Sequence, residues 1–268
     1  MRHVVAVAAV ASLAGAPRVA SAELAPGPWY RGAQGRHRVL HLGLAAGLGT
    51  GYALSEAAFK SALAPDGCRW CDPPGFDRRV RDALVWDDHE RAQTISDVTG
   101  YAMAPAFAIG LTTLGAVRED ASWGRVLDDL LPVLETVAIS QAFTQVVKYG
   151  VGRARPFVRF RGPPAGTDDN LSFYSGHSAL VFGLAVSAGV VAHHRRSPLA
   201  PVIWGGGLAL AATTAYLRIA GDKHYLSDVL VGSTVGVVSG LVIPRLVRYD
   251  GPVSVVPAPG GVAVVGTF

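Results

Sequence analysis

Six apolar stretches recur along the chain, at roughly 38–54, 98–117, 129–147, 178–194, 199–217 and 226–243. They are rich in Ala, Leu, Val and Gly and lack strict two-residue alternation. Lengths of about 17 to 20 residues therefore predict helices rather than strands. The polar interval near 55–97 predicts one amphipathic surface helix through Arg78-Arg79-Val80-Arg81-Asp82-Ala83-Leu84, between Pro74 and Asp88. After Asp250 the pattern changes. Val253-Ser254-Val255-Val256 and Val262-Ala263-Val264-Val265 flank a Pro- and Gly-rich turn, which predicts a hairpin. The predicted fold is all-α: a six-helix bundle, membrane-associated or membrane-embedded, with a short C-terminal β-hairpin. The chain divides into 1–22, a helical domain over 23–250, and a tail over 251–268.

The helix lengths fit a hydrocarbon core of about 30 Å. The third stretch, however, carries Pro132, Glu135, Gln141, Thr144 and Gln145. If that helix spans, those residues must face the bundle interior. A helical bundle outside the membrane is the other solution. The first 22 residues predict a secretory signal. Met1-Arg2-His3 is a basic start, Val4 to Ala16 an apolar run, and Ala20-Ser21-Ala22 a small-residue cleavage pattern. Export places the domain in a bacterial cell envelope, membrane-associated or periplasmic.

Composition narrows the classes. Half of the residues are hydrophobic and only 16% charged, against about 25% in an average soluble domain. So much apolar surface excludes disorder. A formal charge of +4, reduced further by removal of Arg2 and Arg18, argues against a nucleic-acid partner. Two cysteines exclude a disulfide-dense scaffold and a four-cysteine zinc site. Cys68-Arg69-Trp70-Cys71 lies among turn residues, Pro65-Asp66-Gly67 before it and Asp72-Pro73-Pro74-Gly75 after it. A redox motif needs a strand before it and a helix after it. Cys68 and Cys71 are therefore expected to form a local disulfide that pins the loop.

Candidate chemistry lies in three polar islands at helix ends. Lys148-Tyr149-Gly150-Val151-Gly152-Arg153-Ala154-Arg155-Pro156 ends the third helix. Lys148 as a compact charge and Arg155 as a planar fork suit an anion. Ser172-Phe173-Tyr174-Ser175-Gly176-His177-Ser178 opens the fourth, with Ser175 as a candidate N-cap and His177 in the first turn. Gly176 lets a ligand approach the free N–H groups there. Arg218-Ile219-Ala220-Gly221-Asp222-Lys223-His224-Tyr225-Leu226-Ser227-Asp228 is the third. Four residues separate His224 from Asp228, one helical face. A carboxylate bonded to one imidazole nitrogen would leave the other lone pair free as nucleophile or base. Taken singly, each island reads equally as a basic loop, a capped helix or a surface ion pair.

In this order and spacing the islands resemble the type 2 phosphatidic acid phosphatase and vanadium haloperoxidase superfamily. Its pattern is Lys, six residues, Arg-Pro; then Pro-Ser-Gly-His; then Ser-Arg, five residues, His, three residues, Asp. Lys148 to Arg155-Pro156 fits fully, Ser175-Gly176-His177 fits three of four positions, and Arg218, His224 and Asp228 fit all but the leading Ser. Tyr174 and Leu217 depart from the pattern; Tyr174 is expected at the pocket rim. The resemblance spans about 148–228 by motif and 38–243 by helix order.

The resemblance implies roles. His224 would be the nucleophile that forms a phosphohistidine, Asp228 its orienting partner, and His177 the acid that protonates the leaving oxygen. Lys148, Arg155, Arg218, Ser175 and the N–H groups near Gly176 would bind the phosphate. No metal and no cofactor is implied. The substrate would be a lipid phosphate or diphosphate such as phosphatidate, phosphatidylglycerol phosphate, undecaprenyl diphosphate or phosphorylated lipid A. Alternatives are a soluble periplasmic acid phosphatase, a vanadium haloperoxidase, and an envelope protein that only binds anionic lipid.

Overall fold

The computed structural model describes residues 36–119, 122–162 and 166–248, together with the backbone of 253–258 and 261–266. The expected signal over 1–22 lies outside these residues. The helices are α1 (Arg36–Ala57), α2 (Lys60–Leu63), α3 (Gly75–Leu84), α4 (His89–Asp97), α5 (Ala104–Glu119), α6 (Trp123–Val151), α7 (Pro156–Arg161), α8 (Gly176–His194), α9 (Ala200–Ala220) and α10 (Leu226–Arg248). A π-helical turn, Val98–Met103, joins α4 to α5, so that His89–Glu119 runs as one helix of 31 residues.

The six-helix expectation is corrected. With α4 to α5 taken as one, nine helices lie among the described residues. Five of these are long and apolar enough to cross a membrane: His89–Glu119, Trp123–Val151, Gly176–His194, Ala200–Ala220 and Leu226–Arg245. The physical reason is that counting apolar runs misses the short polar helices α2 and α7 and leaves out of the bundle count α3, which forms where the amphipathic surface helix was expected. The first apolar stretch does fold as α1, but it is not one of the five, since Tyr52, Ser55, Glu56 and its glycines dilute its hydropathy. The C-terminal hairpin is likewise set aside as an element of this fold. Among the described residues, 253–258 and 261–266 pair antiparallel only with each other, in a two-stranded sheet.

α8 is the central helix. Nearly every residue from His177 to Ala192 is buried, including Leu180, Val181, Leu184, Ala185 and Ala188, which share a core with Ala104, Ala108, Val133, Ile203 and Ala211. α10 approaches α8 closely through glycines; a Cβ on Gly236 would lie 2.5 Å from the Ala179 carbonyl oxygen. Small residues at such seams let helix backbones meet where lipid removes the hydrophobic drive between helices. α6 turns its polar residues inward as expected: Glu135, Gln141, Thr144 and Gln145 are buried. Glu135 meets His41 of α1 at 2.5 Å, a buried pair that ties these helices together. α6 ends where Gly152 takes a left-handed φ of 60°, a conformation glycine adopts without strain. That turn brings the Lys148–Pro156 segment across to the ends of α8, α9 and α10.

Candidate active site

His224 is the centre of the site. It follows the C-terminus of α9, whose last turn folds back so that the N–H groups of Lys223 and His224 both donate to the Arg218 carbonyl at 3.1 Å. Its ring is almost wholly buried, at 1% exposure. Nδ1 lies 2.8 Å from the backbone carbonyl of Ser172, and Nε2 lies 3.3 Å from Nη1 of Arg155. A carbonyl only accepts and a guanidinium only donates. The proton is therefore on Nδ1 and the lone pair on Nε2. Burial, followed by Arg155, Arg218, Lys148 and His177, holds the imidazole well below its ordinary pKa, so the ring is neutral.

The partner of His224 differs from the one expected. Asp228 Oδ2 stands 3.7 Å from Nδ1, within ion-pair range but beyond a hydrogen bond. The Asp228 carboxylate accepts instead from Ser172 Oγ at 2.5 Å, the Tyr225 N–H at 2.9 Å and Arg153 Nη1 at 2.5 Å. It thus holds the peptide that holds the imidazole.

The other expected residues gather around the same ring. Arg155, at the start of α7, donates through Nε to the Asp168 carbonyl at 2.8 Å and through Nη1 to the Lys223 carbonyl at 3.2 Å. The Asp168 carboxyl, 3.7 Å from its Nη2 and 2.5 Å from Lys60, is held well below the usual range, against the opposing effect of burial. Ser175 caps α8, its Oγ accepting from the Ser178 N–H at 3.3 Å. Lys148 Nζ lies 3.5 Å from the point where a Cβ on Gly176 would stand, so glycine leaves the first turn of α8 open toward that ammonium. Among the described residues Lys148 has no ion-pair partner, and the buried Nε of Arg218 has no hydrogen-bond partner. Cationic groups left unmatched in a buried setting suit an anionic ligand.

His177 faces the cup from the first turn of α8. Its Nε2 lies 2.9 Å from Asp97 Oδ1, and its ring packs at a tilt against Tyr101 with centroids 4.2 Å apart. Asp97 also accepts from Arg218 Nη1 at 2.9 Å, which ties His177 to Arg218. The π-helical turn sets these contacts, since it carries Gly100 and Tyr101 directly after Asp97. π-bulges within α-helices recur at functional sites.

Sequence reasoning missed Asp97, Ser172 and Arg153. Ser172 and Arg153 sit within or beside the motifs, but their use of backbone and buried carboxylate leaves no local pattern. Asp97 lies far upstream with no signal of its own. Tyr174 does not reach a pocket rim. It is buried, with its hydroxyl 3.2 Å from Thr144 Oγ1, and anchors the turn from behind. Leu217, in place of the expected Ser, packs in an apolar cluster with Ala92 and Ala220. Cys68 and Cys71 are joined as a disulfide.

Comparison with known proteins follows the same segment. Residues 129–252 match the model of the PAP2 superfamily. Phospholipid phosphatase 2 of Mus musculus is 35% identical over 139 residues, covering 42% of this chain and 49% of that protein. Lipid A 1-phosphatase of Porphyromonas gingivalis is 34% identical over 133 residues, covering 49% of this chain and 26% of that protein. The chain spans about half the length of the phospholipid phosphatases it matches. A solved PAP2 type phosphatidylglycerolphosphate phosphatase from Bacillus subtilis aligns with a TM-score of 0.47 at 19% identity, covering 77% of this chain and 92% of that one. Residues 129–252, which hold His177, His224 and Asp228, are thus the part of the chain that matches the PAP2 superfamily.

Proposed function

We propose that this protein is a phosphatase that removes phosphate from a lipid phosphate or diphosphate through a phosphohistidine at His224, without a metal ion. The observation that carries this reading is the arrangement at Nε2: a neutral lone pair faces a cup lined by Lys148, Arg155 and Arg218.

The chemistry follows from the groups in place. Phosphate oxygens bind the three cations, and Arg155 Nη1 turns from Nε2 to one of them. Phosphoryl transfer depends on positioning and on stabilising charge spread over the equatorial oxygens. Nε2 attacks phosphorus in line. The bond to the leaving oxygen breaks, and His177 protonates that oxygen as general acid. His177 then takes a proton from water, whose oxygen attacks the phosphohistidine. The N–P bond breaks and inorganic phosphate leaves with His224 neutral again. Three cations around the cup repel a divalent ion, which supports a metal-free route. A lipid substrate is supported by the five apolar helices and by the names of the relatives, phospholipid phosphatase and lipid A 1-phosphatase. Placement in a bacterial envelope belongs to the same proposal.

The test is a panel of detergent-solubilised lipid phosphates and small phosphate esters, assayed for phosphate release by wild type and His224→Ala. Release from lipid substrates that survives EDTA, is inhibited by vanadate and disappears in His224→Ala is the expected result. Turnover by His224→Ala at the wild-type rate overturns the nucleophile, and preference for small esters overturns the lipid assignment.

A further inference from the structure

Behind the phosphate cup lies a second buried ionic cluster. Arg153, at 1% exposure, donates from Nη2 to Asp77 Oδ2 at 2.7 Å. Its Nη1 donates to Asp228 Oδ1 at 2.5 Å and to Ser227 Oγ at 2.7 Å. Asp77 closes the ring by accepting from the Ser227 N–H at 2.9 Å and hydroxyl at 2.6 Å. Aromatic rings flank the guanidinium: Trp70 is 3.9 Å from its carbon and Tyr225 is 4.4 Å away. A flat, delocalised cation fits such a slot, and a lysine does not.

Trp70 belongs to the loop closed by the Cys68–Cys71 disulfide. That loop is bonded along the same segment that carries Arg153. The Arg69 N–H donates to the Gly152 carbonyl at 2.8 Å, and the Ala154 N–H donates to the Trp70 carbonyl at 3.0 Å. The Arg69 side chain caps the end of α6 by donating to the Gly150 carbonyl at 2.7 Å.

We propose that Arg153 is a positioning residue for His224, held in register by the disulfide-closed loop through Trp70. This deepens the phosphatase reading and rests on it. The path is short. Arg153 binds the Asp228 carboxylate, and Asp228 binds Ser172 Oγ at 2.5 Å. The Arg153 carbonyl also accepts the Ser172 N–H at 3.0 Å. Ser172 is thus gripped at both its side chain and its backbone, and its carbonyl accepts the hydrogen bond from His224 Nδ1–H. The Asp228 carbonyl further accepts the N–H of Ser175, the cap of the helix that bears His177. Arg153 touches none of the phosphate-binding cations directly. Its loss lets the Ser172 carbonyl slide, and the imidazole swings Nε2 off the line to phosphorus. Small misplacements of that kind cost rate rather than binding.

The experiment compares full-length wild type with Arg153→Lys, Trp70→Leu and the double variant Cys68→Ser/Cys71→Ser in detergent. Each is normalised to folded protein by size exclusion. The expected result is a fall in kcat of about tenfold to a hundredfold, with KM for lipid phosphate and inhibition by vanadate changed less than about threefold. A role in folding alone would lower the folded yield and leave kcat per folded molecule intact, which overturns the proposal. So does a wild-type kcat in both Arg153→Lys and Trp70→Leu. A second readout does not need turnover. In ¹⁵N-histidine spectra, with His224 assigned by its loss in His224→Asn, wild type is expected to show the Nδ1-protonated tautomer and the Arg153→Lys and Trp70→Leu variants a mixture. An unchanged tautomer in both variants overturns the positioning role. Absence of turnover in wild type sinks the phosphatase reading instead, and the spectra still decide the part played by Arg153.

Discussion

The imidazole of His224 is anchored to Ser172 by a single hydrogen bond, 2.8 Å from Nδ1 to a backbone carbonyl oxygen. A carbonyl cannot be protonated or titrated away at working pH, so the tautomer that leaves Nε2 free does not depend on a neighbouring charge. The carboxylate of Asp228 acts one step back, by holding Ser172.

This arrangement separates two effects of changing Asp228. Arg153 and Asp228 are both buried, and removing one charge of such a pair leaves the other uncompensated, which costs about 3 kcal/mol or more. Asp228→Asn is expected to lower the unfolding midpoint together with activity, whereas His224→Gln abolishes activity at near wild-type stability. Thermal melts of the two variants in the same detergent check this; an Asp228→Asn protein as stable as wild type contradicts the indirect role.

His224 also makes stability depend on pH. Its pKa in the folded protein lies well below the ordinary value near 6.5, because burial and nearby cations disfavour the charged ring. The unfolded chain therefore binds a proton that the folded chain does not. Stability falls as pH drops from about 6.5 toward the folded pKa, by about 1.4 kcal/mol per pH unit, and is flat above that window. His224→Gln removes this slope. Unfolding measured from pH 7.5 down to pH 5 should show wild type losing stability faster than the variant.

Asp97 bridges the two halves of the cup, 2.9 Å from both His177 Nε2 and Arg218 Nη1. Asp97→Asn removes the charge that His177 and Arg218 share, and kcat is expected to fall about tenfold, the low end for general acid catalysis because Asp97 is half exposed. Steady-state kinetics of the variant settle it, and an unchanged kcat rejects the bridge.

Two glycines should respond differently to alanine. A Cβ on Gly100 would stand 2.9 Å from Cδ2 of His177, so Gly100→Ala displaces the His177 ring. Activity is expected to fall steeply, with a stability cost of about 1–3 kcal/mol for overpacking. A Cβ on Gly236 would stand 2.5 Å from the Ala179 carbonyl oxygen and 2.9 Å from the Gly183 nitrogen, both backbone. Gly236→Ala is expected to push α10 from α8 and lower folded yield. Specific activity per folded molecule distinguishes the two; equal specific activities would contradict the placement of Gly100 against the site.

Much of this protein was legible in one dimension. Apolar runs of helical length marked the long helices, because burying twenty consecutive residues in lipid or in a bundle leaves a plain compositional trace. Lys148, Arg155, Ser175, Gly176, His177, Arg218, His224 and Asp228 could be singled out as candidates because each island is local and lies at a helix end and the three together resemble a family pattern. The count of helices could not. α2 and α7 are too short to stand out, and α3, though its amphipathic pattern predicted it, is polar and falls outside a count of apolar runs; its position is set by ion pairs, Arg81 with Asp222 and Asp77 with Arg153. The tertiary structure alone decided who orients whom. Ser172 and not Asp228 accepts the hydrogen bond from Nδ1–H, Asp97 joins His177 from some eighty residues upstream, and Trp70 brings the disulfide loop onto Arg153. Contacts of that kind use backbone carbonyls and buried charges contributed by distant segments, and a carbonyl is carried by every residue. Only the packing of α8, α9 and α10 around the Lys148–Pro156 turn selects which of them meets the imidazole.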